Sequence, residues 1–264
     1  MDLGLAGAAV VVQGGTQGMG RAAARCFAQD GARVAVLARR QELLDETVAE
    51  LLAAGAPEAF PLQADVTDRD QVEQAFALVD ERWGELNVLV NATGSGGMGS
   101  FESLTDEAWI EAINLNAMGM IRCVRAAIPL LRRAEWARIV NVSAHSTKRQ
   151  SAHLPAYTAA KAVVTSVTKN LSLSLAPDEI LVNTVSPGSF ATETLKMWAG
   201  SVGIDTDDLY AIMGGIKEHF DHPAHLPRAG DPAEIGAVIA FVGSRRNTYM
   251  TGANINVDGG SDFC

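Results

Sequence analysis

Tyr157 and Lys161 stand four residues apart and carry side chains suited to proton transfer. Pro155 precedes them at a position typical of a helix start, and a spacing of four places both side chains on one helix face. A free phenol has a pKa of about 10, which is too high for ready proton exchange near neutral pH. A neighbouring ammonium stabilises the phenolate and lowers that pKa, at about 1.4 kcal/mol for each unit. The pair predicts a general acid/base whose pKa Lys161 adjusts.

A second chemical signal is the glycine-rich segment Gly14-Gly15-Thr16-Gln17-Gly18-Met19-Gly20, which follows the apolar run Ala8–Val12. Glycines at this spacing permit a tight strand-to-helix turn and close approach of a diphosphate to the backbone. The common GxGxxG pattern does not start at Gly14, and a plain tight turn is the alternative interpretation. The position after the first buried strand favours a dinucleotide site.

Arg39 and Arg40 end the second apolar run, where a dinucleotide-binding sheet meets the adenosine ribose. A carboxylate there accepts from the 2′-hydroxyl of NAD, whereas arginine accommodates the 2′-phosphate of NADP. This chain has two guanidinium groups and no carboxylate at that point. The pair favours NADP(H) over NAD(H), the alternative being a solvated helix start.

The elements that must position these groups alternate between short apolar runs and longer helical patterns. Strands are predicted at 8–12, 34–37, 59–64, 88–90, 139–142, 181–185 and 254–257, and helices at 21–29, 42–54, 68–83, 106–133, 156–175 and 232–242. This alternation predicts βαβ units, and hence an α/β Rossmann-type, doubly wound sheet of about seven parallel strands with helices on both faces. Because no linker divides the chain, we expect one domain over 1–264, with a substrate lid at about 190–228.

Composition excludes several classes of partner. The chain of 264 residues carries 31 acidic and 21 basic residues, a formal charge of −10, which disfavours nucleic acid and anionic membranes. Three scattered cysteines and the absence of a long apolar run predict a cytoplasmic protein without disulfides or a membrane span. Pro223 interrupts any helix among His219, His222 and His225, so we expect no metal there.

Five motifs in order and spacing match a known family: Gly14-x-x-x-Gly18-x-Gly20, Asn91-Ala92-Thr93-Gly94, Tyr157-x-x-x-Lys161, Pro187-Gly188 and Asp258-Gly259-Gly260. Over nearly its whole length the chain resembles the short-chain dehydrogenase/reductases. The resemblance implies hydride transfer with a nicotinamide dinucleotide between a ketone and a secondary alcohol. It also implies self-association, usually as a homotetramer, with a homodimer as the alternative.

The same resemblance implies roles for individual residues. Tyr157 is the general acid/base, Lys161 holds the nicotinamide ribose, and Asn116 is similar to the asparagine that anchors a water in the proton relay. Further contacts with the cofactor are implied for the glycine loop and for Asp65, Val66, Asn91, Gly94, Pro187, Gly188, Phe190 and Thr192.

Departures from the family pattern are informative. Gln13 and Thr93 replace residues whose role in the family is mainly structural. The family's substrate-orienting serine stands thirteen residues before the tyrosine, and that position here is Ala144. A loop one residue longer would bring Ser143 into place, because adjacent strand residues otherwise face opposite sides. We predict Ser143 as this serine, with Ser146 as the alternative.

The substrate is the least determined feature. Candidate pocket residues are apolar or histidine, and favour a hydrophobic small molecule: Met98, His145, His153, Leu195 and Trp198. A 3-oxoacyl thioester is an alternative, although the segment 173–179 offers no basic residue for an acidic carrier domain. A catalytically idle dinucleotide-binding sensor or scaffold is the alternative from another class. The displaced serine favours it and the intact Tyr157–Lys161 pair argues against it.

Overall fold

The computed structural model describes residues 2–96 and 98–262 and forms a seven-stranded parallel sheet. The strands are β1 (Ala9–Gln13), β2 (Arg33–Ala38), β3 (Ala59–Gln63), β4 (Val88–Asn91), β5 (Ala137–Val142), β6 (Ile180–Pro187) and β7 (Asn254–Val257). Their order in the sheet is β3-β2-β1-β4-β5-β6-β7. The order reverses between β1 and β4, and in doubly wound sheets ligands bind beyond the carboxyl ends of the strands at such a reversal.

Nine α-helices connect or flank the strands in the described part of the chain. They are α1 (Gly18–Gln29), α2 (Gln41–Ala54), α3 (Arg69–Trp83), α4 (Asp106–Ile113), α5 (Gly119–Leu131), α6 (Pro155–Ser174), α7 (Glu193–Ser201), α8 (Leu209–Phe220) and α9 (Pro232–Val242). The predicted α/β fold is confirmed. The single long helix predicted at 106–133 is wrong, because a π-helical turn (Asn114–Met118) separates α4 from α5.

Both faces of the sheet are covered, which explains why its strands are apolar runs without alternation. One buried cluster joins alternate strand residues such as Val11 and Leu89 to α3, α5 and α6. The other joins Val10 and Val88 to α1, α2 and α9. Strands β1 and β4 pair in register, Val10 opposite Val88 and Gln13 opposite Asn91, so their ends lie side by side.

Helices α7 and α8 form a separate apolar cluster through Ala199, Ile212, Met213 and Ile216. They lie between β6 and β7, within the segment 190–228 where the sequence predicts a lid. That role, and the division into one domain with a lid, stay predictions. Within the described residues, none of the helices is both long and apolar enough to cross a membrane.

Candidate active site

A cleft of about 600 Å³ opens beyond the carboxyl ends of the central strands. The glycine loop, the end of β2, the loop after β4 and the start of α7 line it together. Its lining includes most of the predicted cofactor residues: Gly14, Thr16, Gln17, Gly18, Met19, Gly20, Arg39, Arg40, Asp65, Val66, Gly94, Tyr157 and Thr192. Residues that are distant in the chain thus meet at the predicted position.

The glycine loop is packed too tightly to accept side chains at Gly14 and Gly20. Gly14 has a φ of +77°, a conformation that favours glycine. A Cβ on Gly20 would lie 2.2 Å from the carbonyl oxygen of Gly14. Helix α1 begins at Gly18, so its positive end faces the cleft, and the Gly18 N–H donates to Glu193 Oε2 at 2.9 Å. The glycine loop therefore presents its backbone to the cleft, and its contact with a phosphate stays a prediction.

Two guanidinium groups border the same cleft at the end of β2. Arg39 Nη1 lies 3.8 Å from Asp65 Oδ2, and the Arg40 guanidinium donates to the side-chain oxygen of Gln17. Both arginines are exposed, so they remain accessible to a further anion. Asp65 also accepts from the N–H and hydroxyl of Thr67, which fixes its carboxylate.

Tyr157 and Lys161 share one face of α6, and the Lys161 ammonium lies 5.7 Å from the centre of the Tyr157 ring. Lys161 Nζ donates to the carbonyl oxygens of Val142, at 2.9 Å, and Thr93, at 3.2 Å. Burial raises the pKa of the Tyr157 phenol to about 12 and lowers the pKa of Lys161 to about 8. The predicted lowering of the Tyr157 pKa is therefore corrected: desolvation of the phenol raises this pKa, and the phenol stays protonated at neutral pH.

Asn116 lies in the π-helical turn and faces the same region. Its Nδ2 donates to the carbonyl oxygens of Ser95 at 2.7 Å and Ala112 at 2.8 Å. Its Oδ1 is buried and has no hydrogen-bond partner among the described residues. A Cβ on Gly94 would lie 2.8 Å from Lys161 Nζ and 3.4 Å from Asn116 Oδ1. The amide oxygen and the ammonium thus border one small space beside Gly94, which suits a hydrogen-bonded relay.

The two candidate serines are buried and point into the protein. The Ser143 hydroxyl donates to the carbonyl oxygen of Lys161 at 3.0 Å and lies 3.0 Å from Thr165 Oγ1. Ser146 Oγ accepts from the Thr158 hydroxyl at 3.2 Å. Neither serine is among the residues that line the cleft. The substrate-orienting role stays a prediction for both, and the placement of Ser143 favours a bond that fixes α6 to the end of β5.

Some predicted cofactor residues support the site from behind. Asn91 Nδ2 donates to Asn141 Oδ1 at 2.8 Å, and the Phe190 ring packs on Gly230 and lines a second, smaller cavity. Asn91 and Phe190 thus support the framework around the cleft, and their contact with the cofactor stays a prediction. Gly188 is required by packing, because a Cβ would lie 2.6 Å from Asp258 Cα.

The predicted substrate residues divide in the same way. Met98 lines the cleft. His145 Nδ1 donates to the carbonyl oxygen of Pro187 at 2.9 Å, and Leu195 and Trp198 pack with the α7–α8 cluster. His153 is exposed, and its carbonyl oxygen accepts from Gly99. Direct contact with substrate by His145, His153, Leu195 and Trp198 stays a prediction.

The lining also contains residues to which the sequence assigned no contact with cofactor or substrate, among them Thr93, Ser95, Gly96, Leu115, Glu193 and Thr194. Gly96 follows Gly94 in a glycine-rich run, and this repetition was the available signal. A Cβ on Gly96 would lie 2.9 Å from Tyr157 Cβ, so the loop after β4 packs directly on the tyrosine. Nothing in the pattern around Glu193 distinguished it from an exposed helix start.

Comparison with known proteins gives matches over nearly the whole chain. The family described as enoyl-(acyl carrier protein) reductase matches residues 14–262. The 2,3-dihydro-2,3-dihydroxybenzoate dehydrogenase of Bacillus subtilis is 32% identical over 259 residues, 98% of this chain and 97% of that protein. A putative ketoacyl reductase of Streptomyces coelicolor is 34% identical over 256 residues, 95% of each chain.

Solved structures agree with these matches. L-sorbose reductase from Gluconobacter frateurii, complexed with NADPH and L-sorbose, has a TM-score of 0.91 at 27% identity, with 100% of both chains covered. An actinorhodin polyketide ketoreductase with NADPH has a TM-score of 0.87 at 30% identity, with 98% of both chains covered.

Proposed function

Because the chain belongs to the short-chain dehydrogenase/reductase family, whose members similar to it are NAD(P)-dependent oxidoreductases, we propose a more specific activity. The enzyme uses NADP(H) in preference to NAD(H) and interconverts a ketone and a secondary alcohol on a hydrophobic small molecule. The observation that carries the cofactor preference is the placement of Arg39 and Arg40 at the cleft end of β2.

The residues present fit a dinucleotide. Gly14, Gly18 and Gly20 line the cleft with their backbone and would let a diphosphate approach it closely, and the two guanidinium groups suit a 2′-phosphate. Asp65 and Val66 would hold the adenine and Gly94 and Thr192 the nicotinamide, and all four residues line the cleft. When bound, the nicotinamide supplies or accepts a hydride at the reacting carbon.

The chain's own residues manage the proton. Tyr157 stays protonated at neutral pH because burial raises its pKa to about 12, so its phenol donates a proton to the developing alkoxide. Lys161 has a pKa near 8 and exchanges its proton readily in the same range. The buried amide oxygen of Asn116 has no hydrogen-bond partner among the described residues and would accept one from a water that links Lys161 to solvent. This arrangement favours reduction of a ketone at neutral pH.

The cleft near Tyr157 favours an apolar substrate. Met98 and Leu154 line it from the loops after β4 and β5, and Leu115 lines it from the π-helical turn. The similarity to ketoacyl reductases of Streptomyces coelicolor and Mycobacterium tuberculosis supports a second candidate, a 3-oxoacyl thioester. Both candidates present the same carbonyl group to Tyr157.

The test measures dissociation constants for NADPH and NADH, and then turnover on a panel of hydrophobic ketones and 3-oxoacyl thioesters. We expect tighter binding of NADPH, and Arg39→Ala with Arg40→Ala to weaken NADPH binding roughly tenfold or more while sparing NADH. Arg69→Ala is the control, because Arg69 is exposed and pairs with Glu73 on α3. Equal affinities would overturn the preference, and tight binding without turnover would support the sensor.

We also propose self-association. Exposed apolar side chains lie on α4 and α6, two helices that pack together, and include Ile110 at 66% and Leu173 at 75% exposed. Exposed apolar surface of this kind is typical of an interface between subunits. Light scattering measured on the protein as it elutes from a size-exclusion column would distinguish a tetramer, a dimer and a monomer. The predicted cytoplasmic location stays a prediction.

A further inference from the structure

The carboxylate of Glu193 already occupies part of the predicted phosphate site. Glu193 Oε2 accepts a hydrogen bond from the N–H of Gly18 at 2.9 Å, across 175 residues of chain. Gly18 is the first residue of α1, and Glu193 is the first residue of α7 in the predicted lid. Thr192, the residue before Glu193, packs against the same glycine: a Cβ on Gly18 would lie 3.1 Å from Thr192 Cγ2.

The chemistry of this contact is that of an anion at a helix N-terminus. The N–H groups of the first turn have no partners within the helix, and the positive end of the helix dipole stabilises negative charge there. Gln17, at the N-cap position, makes no side-chain capping hydrogen bond. A carboxylate oxygen and a phosphate oxygen therefore seek the same donor, and the Gly18 N–H cannot serve both at full strength.

We propose that Glu193 competes with the diphosphate of the dinucleotide for Gly18 and thereby sets the affinity for the cofactor. This inference rests on the proposed function. The competition has two components: the Gly18 N–H must be freed, and a negative charge then remains beside the incoming phosphates. Lys196, one turn further along α7, pairs with Asp207 at 3.0 Å, so its ammonium is directed away from Glu193.

The exposure of Glu193 limits the size of its effect on cofactor affinity. Glu193 is exposed, and interactions of exposed charges with helix ends are modest and screened by salt. We expect removal of the charge to tighten cofactor binding by about fivefold at low ionic strength, with a smaller gain at high salt. The salt dependence separates this effect from a change of packing, which salt would leave in place.

The experiment compares wild type with Glu193→Gln, which keeps the shape of the side chain and removes its charge. Dissociation constants are measured by calorimetry for NADPH and for 2′-AMP, which carries the 2′-phosphate and lacks the diphosphate. Glu218→Gln is the matched control, because Glu218 is an exposed carboxylate on α8 and its replacement changes the net charge equally. Glu193→Asp keeps the charge and shortens its reach, and serves as the second variant if Glu193→Gln fails to fold.

The expected result is tighter binding of NADPH by Glu193→Gln, with 2′-AMP binding unchanged and Glu218→Gln equal to wild type; Glu193→Asp is also expected to bind NADPH more tightly than wild type. Unchanged or weaker NADPH binding by a folded Glu193 variant would overturn the inference and leave the proposed function in place. Equal tightening for 2′-AMP would also overturn it, because the effect would then be one of overall charge. A wild-type protein that binds no dinucleotide would overturn the proposed function and this inference together.

Discussion

Gln13 and Thr93 hold the ends of β1 and β4 together through a reciprocal pair of hydrogen bonds. The Gln13 amide donates to the Thr93 hydroxyl, and the Thr93 N–H donates to Gln13 Oε1 at 3.1 Å. The carbonyl oxygen of the same Thr93 accepts from Lys161 Nζ at 3.2 Å. Two departures from the family pattern are therefore partners, and together they support the loop that holds the active-site ammonium.

The partnership predicts non-additive effects on stability. Gln13→Ala and Thr93→Val are each expected to lower the free energy of unfolding by about 1 kcal/mol, since each leaves part of a buried pair unsatisfied. The double variant should lose less than the sum, by about 0.5–1 kcal/mol, because the second change removes groups that have already lost their partner. Urea denaturation of the four proteins measures this coupling. Strict additivity would show that the two side chains act independently.

The fold could be predicted from the sequence because the patterns that indicate its strands and helices are local and periodic. Buried runs such as Val88–Val90 and the helix opened by Pro155 need no tertiary information. The π-helical turn at Asn114–Met118 was not foreseen, since its backbone pattern depends on packing against α6 and the loop after β4. The part of the cleft that could be predicted is the part lined by residues of the sequence motifs.

Long-range side-chain contacts could not be predicted from the sequence. The bond from Gly18 to Glu193 and the direction of the Ser143 hydroxyl depend on how loops fold across the sheet, which spacing in the chain does not encode. The same is true of pKa values. Burial raises the pKa of Tyr157, and the extent of burial is a property of the assembled structure.

Ser143→Ala tests whether this serine positions α6 or touches the substrate. With its hydroxyl on the Lys161 carbonyl oxygen, we expect a loss of about 1 kcal/mol in the free energy of unfolding. Turnover should fall with an altered pH dependence, because the segment that carries Lys161 is loosened. Ser146→Ala is the comparison, as Ser146 bonds to Thr158 instead. A large loss of kcat with unchanged stability and unchanged pH profile would show direct contact with substrate.

The pKa of Lys161 predicts the alkaline limb of the rate profile. Burial lowers this pKa to about 8, so the ammonium that replenishes the Tyr157 proton is lost as the pH rises through that value. The kcat/KM of ketone reduction, which reports the enzyme form that binds the ketone, should therefore decline above about pH 8. Lys161→Arg keeps its charge to far higher pH and should lose this limb, at a lower overall rate. An unchanged limb in that variant would assign it to another group.

The lowered pKa of Lys161 also makes the stability of the folded protein depend on pH. Because the pKa of Lys161 is about 8 in the folded protein and 10.5 ordinarily, the unfolded chain binds more protons between these values. The folded state should gain stability from this group as pH rises from about 8 toward 10.5. Lys161→Met removes the titrating group and should flatten this dependence in denaturation measured across pH. If the stability of Lys161→Met rises with pH as steeply as that of the wild type, a group other than Lys161 titrates in this range.

Gly94 and Gly188 predict opposite outcomes for the same substitution. A Cβ on Gly94 would meet movable atoms, Lys161 Nζ at 2.8 Å and Asn116 Oδ1 at 3.4 Å, whereas one on Gly188 would lie 2.6 Å from the backbone Cα of Asp258. Gly94→Ala should thus displace the ammonium and lower kcat/KM at nearly unchanged stability. Gly188→Ala should cost about 1–3 kcal/mol of unfolding free energy, because the backbone must shift. Thermal unfolding and kinetics on both proteins separate the effects. If Gly94→Ala is the less stable variant, the ammonium is held more rigidly than its contacts with Val142 and Thr93 imply.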